Sequence, residues 1–292
     1  MLLPISIAKL KNYLSLVKFA HSIFALPFAL LGFFLATIHS SDSVSWKLLL
    51  LVLICMVFAR NAAMSFNRWA DQDIDKINPR TALREIPAKL IRSQSALVFS
   101  ILNACLFILT TFFINPLCFY LSPVALVVIL GYSFTKRFTA LSHFVLGLGL
   151  SLAPTGAYLA VTGKLDWIPV ILSLAVLCWV SGFDIIYALQ DDDFDRENHL
   201  RSVPVKLGRK KALNLSLLLH VCTAMLLVLA GIAGQFKMVY WIGLIIFCIL
   251  LFYQHTVVKA NNLDKVNLAF FTLNGIASIV FALFAITDLF MY

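Results

Sequence analysis

Nine apolar stretches run through the 292 residues, at roughly 19–38, 47–66, 95–114, 117–134, 143–161, 167–189, 212–233, 238–256 and 267–290. Each is close to the about 20 residues an α-helix needs to cross the hydrocarbon of a bilayer. With no water there to satisfy the backbone, such stretches must pair their amides internally as helices. The expected fold is an all-α integral membrane protein, a bundle of nine transmembrane helices forming one domain over residues 1–292. Composition agrees, with 61% hydrophobic and 13% charged residues, against roughly half and a quarter in soluble domains. Lys9, Lys11 and Lys18 precede the first stretch as in a secretory leader. That stretch is long, contains His21 and Pro27 and lacks a small-residue cleavage site, so it reads as a retained helix. The six cysteines lie in apolar stretches without a CxxC pair, which points to packing rather than disulfides or a thiolate metal site.

A net charge of +9 suggests nucleic-acid binding until the cations are placed. Of 23 Lys and Arg, 19 lie in the N-terminal tail or in the second, fourth, sixth and eighth connections. Lys47, Lys164 and Lys237 lie on the opposite side, and Arg60 lies inside the second helix. Positive charge concentrates on cytoplasmic loops. The N-terminus and both large loops are therefore expected to face the cytoplasm, most simply across the inner (plasma) membrane of a bacterium.

Ten of the 14 acidic residues crowd into two short stretches on that face, Asp71 to Glu85 and Asp184 to Glu197. Like charges side by side repel unless cations sit among them. Residues four apart share a helix face, so Asn67, Asp71 and Asp75 form one row, with Arg60 two turns before Asn67. Asp184, Tyr187, Asp191 and Asp195 form another. Asp73, Asp192 and Asp193 fall off these rows and read as solvated or supporting. The two segments lie 120 residues apart, each after an even-numbered helix, as in a weak parallel repeat with a site between its halves.

Magnesium takes oxygen ligands and is usually held by one or two carboxylates plus substrate phosphates. Two carboxylate rows facing a gap, Asp71 and Asp75 opposite Asp191 and Asp195, suit a diphosphate bridged by Mg2+. Cations follow each row: Lys76, Arg80 and Arg84 after the first, Arg196, Arg201 and Lys206 after the second, with Lys136 and Arg137 in the fourth connection. Arginine forks match phosphate oxygens, although topology alone also places cations there. Clustered acids also mark ion paths, so a divalent-cation transporter is the rival from another class. Acids at one face beside so many cations favour the enzyme.

These residues resemble the UbiA-type membrane prenyltransferases, closest to the 4-hydroxybenzoate polyprenyltransferases. Asn67 to Asp75 with Arg80, Thr81 and Arg84 is similar to the NDxxDxxxD segment and its trailing arginines, and Tyr187 to Asp195 with Arg201 to Pro204 is similar to YxxxDxxxD. Lys18 to Pro27 and Tyr132 to Arg137 add weaker matches, while the last three helices match only as apolar spans. Arg68 stands where the family often has a second acid, and His199 where it often has glycine.

The resemblance implies Mg2+-dependent transfer of a polyprenyl group from a polyprenyl diphosphate to an aromatic acid such as 4-hydroxybenzoate in ubiquinone biosynthesis. A naphthoate-type menaquinone precursor is an alternative acceptor. It implies Asp71, Asp75, Asp191 and Asp195 as metal ligands, and Asn67, Arg80, Arg84, Lys136, Arg137 and Arg201 as substrate-binding groups. Asp191 is also the candidate for polarising the acceptor hydroxyl or taking its proton. Tyr187 is a candidate for facing the prenyl cation with its ring, and equally a packing residue. Arg60, costly inside a membrane, is a candidate for the acceptor carboxylate or the diphosphate, or for a structural pair with Asp184.

Overall fold

The computed structural model describes residues 7–17, 24–40 and 43–291. Lys18 and His21 lie outside them. The described residues contain α1 (Ile7–Leu16), α2 (Leu26–His39), α3 (Trp46–Ala70), α4 (Gln72–Ile77), α5 (Ser93–Phe112), α6 (Pro116–Thr135) and α7 (Ser142–Thr162). There follow α8 (Trp167–Ala188), α9 (Asp192–Glu197), α10 (Val203–Leu207), α11 (Arg209–Ala233), α12 (Met238–Val257) and α13 (Asn274–Met291). Eight helices are long and apolar enough to span a bilayer, and α2 is a shorter apolar helix over the described part of the first stretch. The chain is an all-helical integral membrane protein, and nine spans is an approximate count.

The helices divide by how they pack. α2, α7, α8, α11, α12 and α13 contact one another in turn, and α13 returns to α2, so the first and last spans close a ring. α3, α5 and α6 pack together and join the ring through α7. The two helices that lead into the aspartate segments, α3 and α8, are not packed neighbours, and α7 packs against both. Trp179, Phe28, Phe183, Phe247, Phe281 and Tyr240 fill the core. Leu50, Val98, Leu102, Val127, Met225 and Ile249 stand exposed, as a lipid-facing surface requires.

Small residues let helices approach closely where lipid supplies no hydrophobic drive between them. A Cβ on Gly32 of α2 would lie 2.2 Å from the Pro154 carbonyl oxygen of α7, a backbone atom that cannot yield. The last span opens on a π-turn, Leu268–Leu273. Its loosened carbonyls are gathered by Asn274, whose Nδ2 donates to Ala269 O at 2.8 Å and Phe270 O at 3.2 Å. Trp179 Nε1 of α8 in turn donates to Asn274 Oδ1 at 2.8 Å.

Gly32→Ala is expected to lower thermal stability in detergent by about 1–3 kcal/mol through overpacking. Gly156→Ala, whose added Cβ meets nothing within 4 Å, is expected to cost nothing. Melting curves of the two variants check this.

Candidate active site

The first row is continuous through a joint. Asp71 closes α3 with φ −94° and ψ 6°, yet the Asp71 N–H donates to Asn67 O at 2.9 Å and the Asp75 N–H to Asp71 O at 2.8 Å. The i to i+4 spacing thus survives into α4, and Asp71 and Asp75 are both buried. The second row is tightened by a 3₁₀ turn, Leu189–Asp191, before α9. This turn sets Asp191 partly open and buries Asp192 and Asp195.

Each of the four row carboxylates meets one cation, and three of those cations come from another segment. Arg80 of the first loop forks onto Asp191, with Nε donating to Oδ1 at 2.8 Å and Nη2 to Oδ2, while Asn78 Nδ2 donates to Oδ1 at 3.1 Å. Arg84 Nη1 donates to Asp75 Oδ1 at 2.6 Å. Lys136 Nζ lies 4.0 Å from Asp195 Oδ1. Arg137 Nη2 lies 3.7 Å from Asp71 Oδ1 and donates to the Ala70 carbonyl. Loops 78–92, 136–141 and 189–202 therefore interlock beyond the ends of α3 and α8.

Arg201 faces a different partner. Its N–H donates to Lys136 O at 2.8 Å and its Nη1 to Phe138 O at 2.6 Å, so it holds the loop that carries Lys136 and Arg137. Asn67 Nδ2 donates to Asp71 Oδ2 at 3.0 Å. Tyr187 serves both packing and polar contact. Its ring stacks on Phe270 at 4.1 Å, the Arg80 guanidinium lies 5.3 Å from its centroid, and its hydroxyl accepts from Arg80 Nη1 at 3.0 Å. Asp184 takes His143, not Arg60, as its partner, with Nδ1 to Oδ2 at 2.7 Å.

The three acids off the rows split in role. Asp192 is buried and takes the Arg209 fork, Nε to Oδ2 and Nη2 to Oδ1, both 2.8 Å, which fastens the start of α11. Asp193 and Asp73 are exposed. Residues that the spacing did not single out include Asn78, His143, Arg209 and Phe270. Their signals are long-range partnerships, invisible to local periodicity.

The row carboxylates are incompletely satisfied. Asp71 Oδ1, Asp75 Oδ2 and Asp195 Oδ1 are buried and meet no hydrogen-bond donor. Burial pushes the Asp71 carboxyl above the usual carboxylate range, Lys136 draws it down, Asp75 raises it and Arg137 lowers it. Among the described residues no three acidic, His or Cys side chains converge into a metal cage of their own. Magnesium does not need one, because waters and substrate phosphates complete its octahedron. Buried carboxylate oxygens lacking donors on both segments fit such an ion.

Comparison with known families decides the class. The model of the UbiA prenyltransferase family matches residues 25–276. The chain belongs to the UbiA prenyltransferase family. It is an enzyme, which displaces the transporter reading. It is 31% identical over 243 residues to a 4-hydroxybenzoate octaprenyltransferase from Tolumonas auensis, covering 83% of this chain and 85% of the relative. The apo structure of a UbiA homologue from Aeropyrum pernix K1 superposes with a TM-score of 0.83 at 28% identity, covering 92% of this chain and 98% of that one. A UbiA homologue from Archaeoglobus fulgidus bound to GPP and Mg2+ shares the fold, with a TM-score of 0.72 at 21% identity and coverage of 95% and 99%.

The Arg80–Asp191 fork joins the two segments, so Arg80→Ala and Asp191→Ala should be strongly non-additive. A double-mutant cycle on unfolding in metal-free detergent is expected to give a coupling of about 1–3 kcal/mol. Additive losses would remove the fork from the resting enzyme.

Proposed function

We propose that this UbiA-family enzyme transfers a polyprenyl group from a polyprenyl diphosphate to a hydroxylated aromatic acid such as 4-hydroxybenzoate, using Mg2+ held by Asp71, Asp75, Asp191 and Asp195. The observation that carries the reading is the set of three buried carboxylate oxygens without donors, spread over both segments and ringed by cations. When bound, magnesium supplies charge neutralisation for the diphosphate leaving group. Arg80, Arg84, Lys136 and Arg137 bind its oxygens, the arginines in forked geometry, and Arg201 keeps the Lys136–Arg137 loop in place. Such donors act as electrostatic catalysts because they are fixed before charge develops. Asn67 orients Asp71 or donates to a phosphate oxygen.

The acceptor lies deeper, where Arg60 takes its carboxylate. Tyr187, backed by Phe270, presents its ring edge and hydroxyl beside the diphosphate, while the apolar faces between helices receive the prenyl tail. The name of the Tolumonas auensis relative supports 4-hydroxybenzoate, and the Archaeoglobus fulgidus complex supports a prenyl diphosphate with Mg2+. By the positive-inside rule, the interlocked loops face the cytoplasm.

Membranes carrying the protein, given radiolabelled polyprenyl diphosphate, Mg2+ and a panel of acceptors, test the reading. Product is expected with 4-hydroxybenzoate, lost on chelation and restored by Mg2+. Asp71→Ala and Asp191→Ala should each lower the rate by about 100-fold, the scale of losing one preorganised electrostatic group. Product from a dihydroxynaphthoate alone would move the acceptor to the menaquinone precursor. Near-full activity in both variants would overturn the metal assignment.

A further inference from the structure

The row carboxylates leave a gap in the chemistry. When a prenyl carbon bonds to an aromatic ring carbon, the proton on that carbon must go to a base. Asp191 is poorly suited: without substrate Arg80 occupies both of its oxygens and Asn78 adds a third donor, and when Arg80 turns to the diphosphate the metal takes Asp191, as assigned above. A carboxylate so saturated has little affinity left for a proton. Asp71, Asp75 and Asp195 carry the unsatisfied oxygens assigned above to the metal.

Asp184 is differently placed. It lies seven residues before Asp191 on α8, about 10 Å along the helix at 1.5 Å per residue, inside the spanning segment, where an ionisable residue is functional by default. Its neighbours Phe183, Ile185 and Ile186 are buried to 2% exposure or less, whereas its own side chain is 20% exposed. That exposed surface belongs to the helix face that carries Tyr187, one turn on. Tyr187 on that face turns its hydroxyl to Arg80, which forks onto Asp191, so the Asp184 face continues toward the aspartate rows.

His143 fixes the state of this carboxylate. The Val203 backbone N–H, which can only donate, points at His143 Nε2 at 3.3 Å. Nε2 therefore accepts, the ring hydrogen sits on Nδ1, and Nδ1–H donates to Asp184 Oδ2 at 2.7 Å. A neutral, 4% exposed imidazole thus holds one oxygen of Asp184 and leaves the other for substrate.

We propose that Asp184 is the proton acceptor of the transfer and that His143 is its positioning residue; this rests on the functional reading above. As the prenyl C1–O bond to diphosphate breaks and C1 bonds to the ring carbon ortho to the hydroxyl, that carbon becomes tetrahedral. Its C–H bond then breaks. The proton passes to Asp184, the electron pair restores the aromatic ring, and the proton leaves with the products. Val203 lies just after the second aspartate segment, so its amide couples the fold of that loop to the orientation of the base.

The test uses the full-length enzyme in detergent with geranyl diphosphate, Mg2+ and 4-hydroxybenzoate, unlabelled or deuterated ortho to the hydroxyl. Asp184→Asn is expected to bind geranyl diphosphate as the wild type does. It should form product about 100-fold more slowly, the lower range of general-base effects, with a larger primary deuterium isotope effect because loss of the ring proton becomes limiting. His143→Leu should behave alike. His143→Asn, whose amide still donates to Asp184, should recover part of the rate, which also serves if Asp184→Asn folds poorly. A rate for Asp184→Asn within a few-fold of wild type overturns the proposal, as does a slow variant with an unchanged isotope effect. A wild type that prenylates no acceptor on the panel instead sinks the functional reading, and this assignment with it.

Discussion

Negative charge gathered at the edge of a hydrocarbon slab must be neutralised, and here the neutralising cations come mostly from elsewhere in the chain. Arg80 reaches from the first loop to Asp191 across 111 residues, and Arg137 and Lys136 reach from the fourth connection to Asp71 and Asp195. Removing such a cation leaves a carboxylate without its partner, and removing the acid leaves the cation, so the loops order one another. This interdependence holds three connecting segments in one arrangement beyond the ends of α3 and α8, which are not themselves packed neighbours.

Much of this was legible in the sequence because it rests on short periods. The spanning helices follow from runs of apolar residues. The spacing of Asn67, Asp71 and Asp75 is carried through the joint at Asp71 by unbroken i to i+4 hydrogen bonds. The spacing of the second segment was less faithful, because the 3₁₀ turn at Leu189–Asp191 rotates Asp192 inward, and a buried acid then takes Arg209 as its fork. Nothing local marks that pair. The same holds for His143 with Asp184, which lie 41 residues apart, and for the partnership of Arg201 with the backbone of the Lys136 loop.

The last spans show most clearly why distance defeats periodicity. They resemble the family only as apolar runs, yet Phe270 is the ring against which Tyr187 stacks. It is placed there by a π-turn whose loosened carbonyls Asn274 gathers and Trp179 anchors. A π-turn adds one residue to a helical turn and so rotates the helix face presented by every later residue of the span. The apolar pattern on either side of the turn gives no warning.

The contact between α2 and α13 closes the helix ring by joining its first and last members. A chain inserted from its N-terminus cannot make that contact until α13 enters the bilayer. Until then the aromatic core around Phe28 and Trp179 lacks Phe281, which α13 contributes. The ordering of Tyr187 by Phe270 also waits on the final segment, so the face between the two aspartate segments is completed by residues made long after its aspartates.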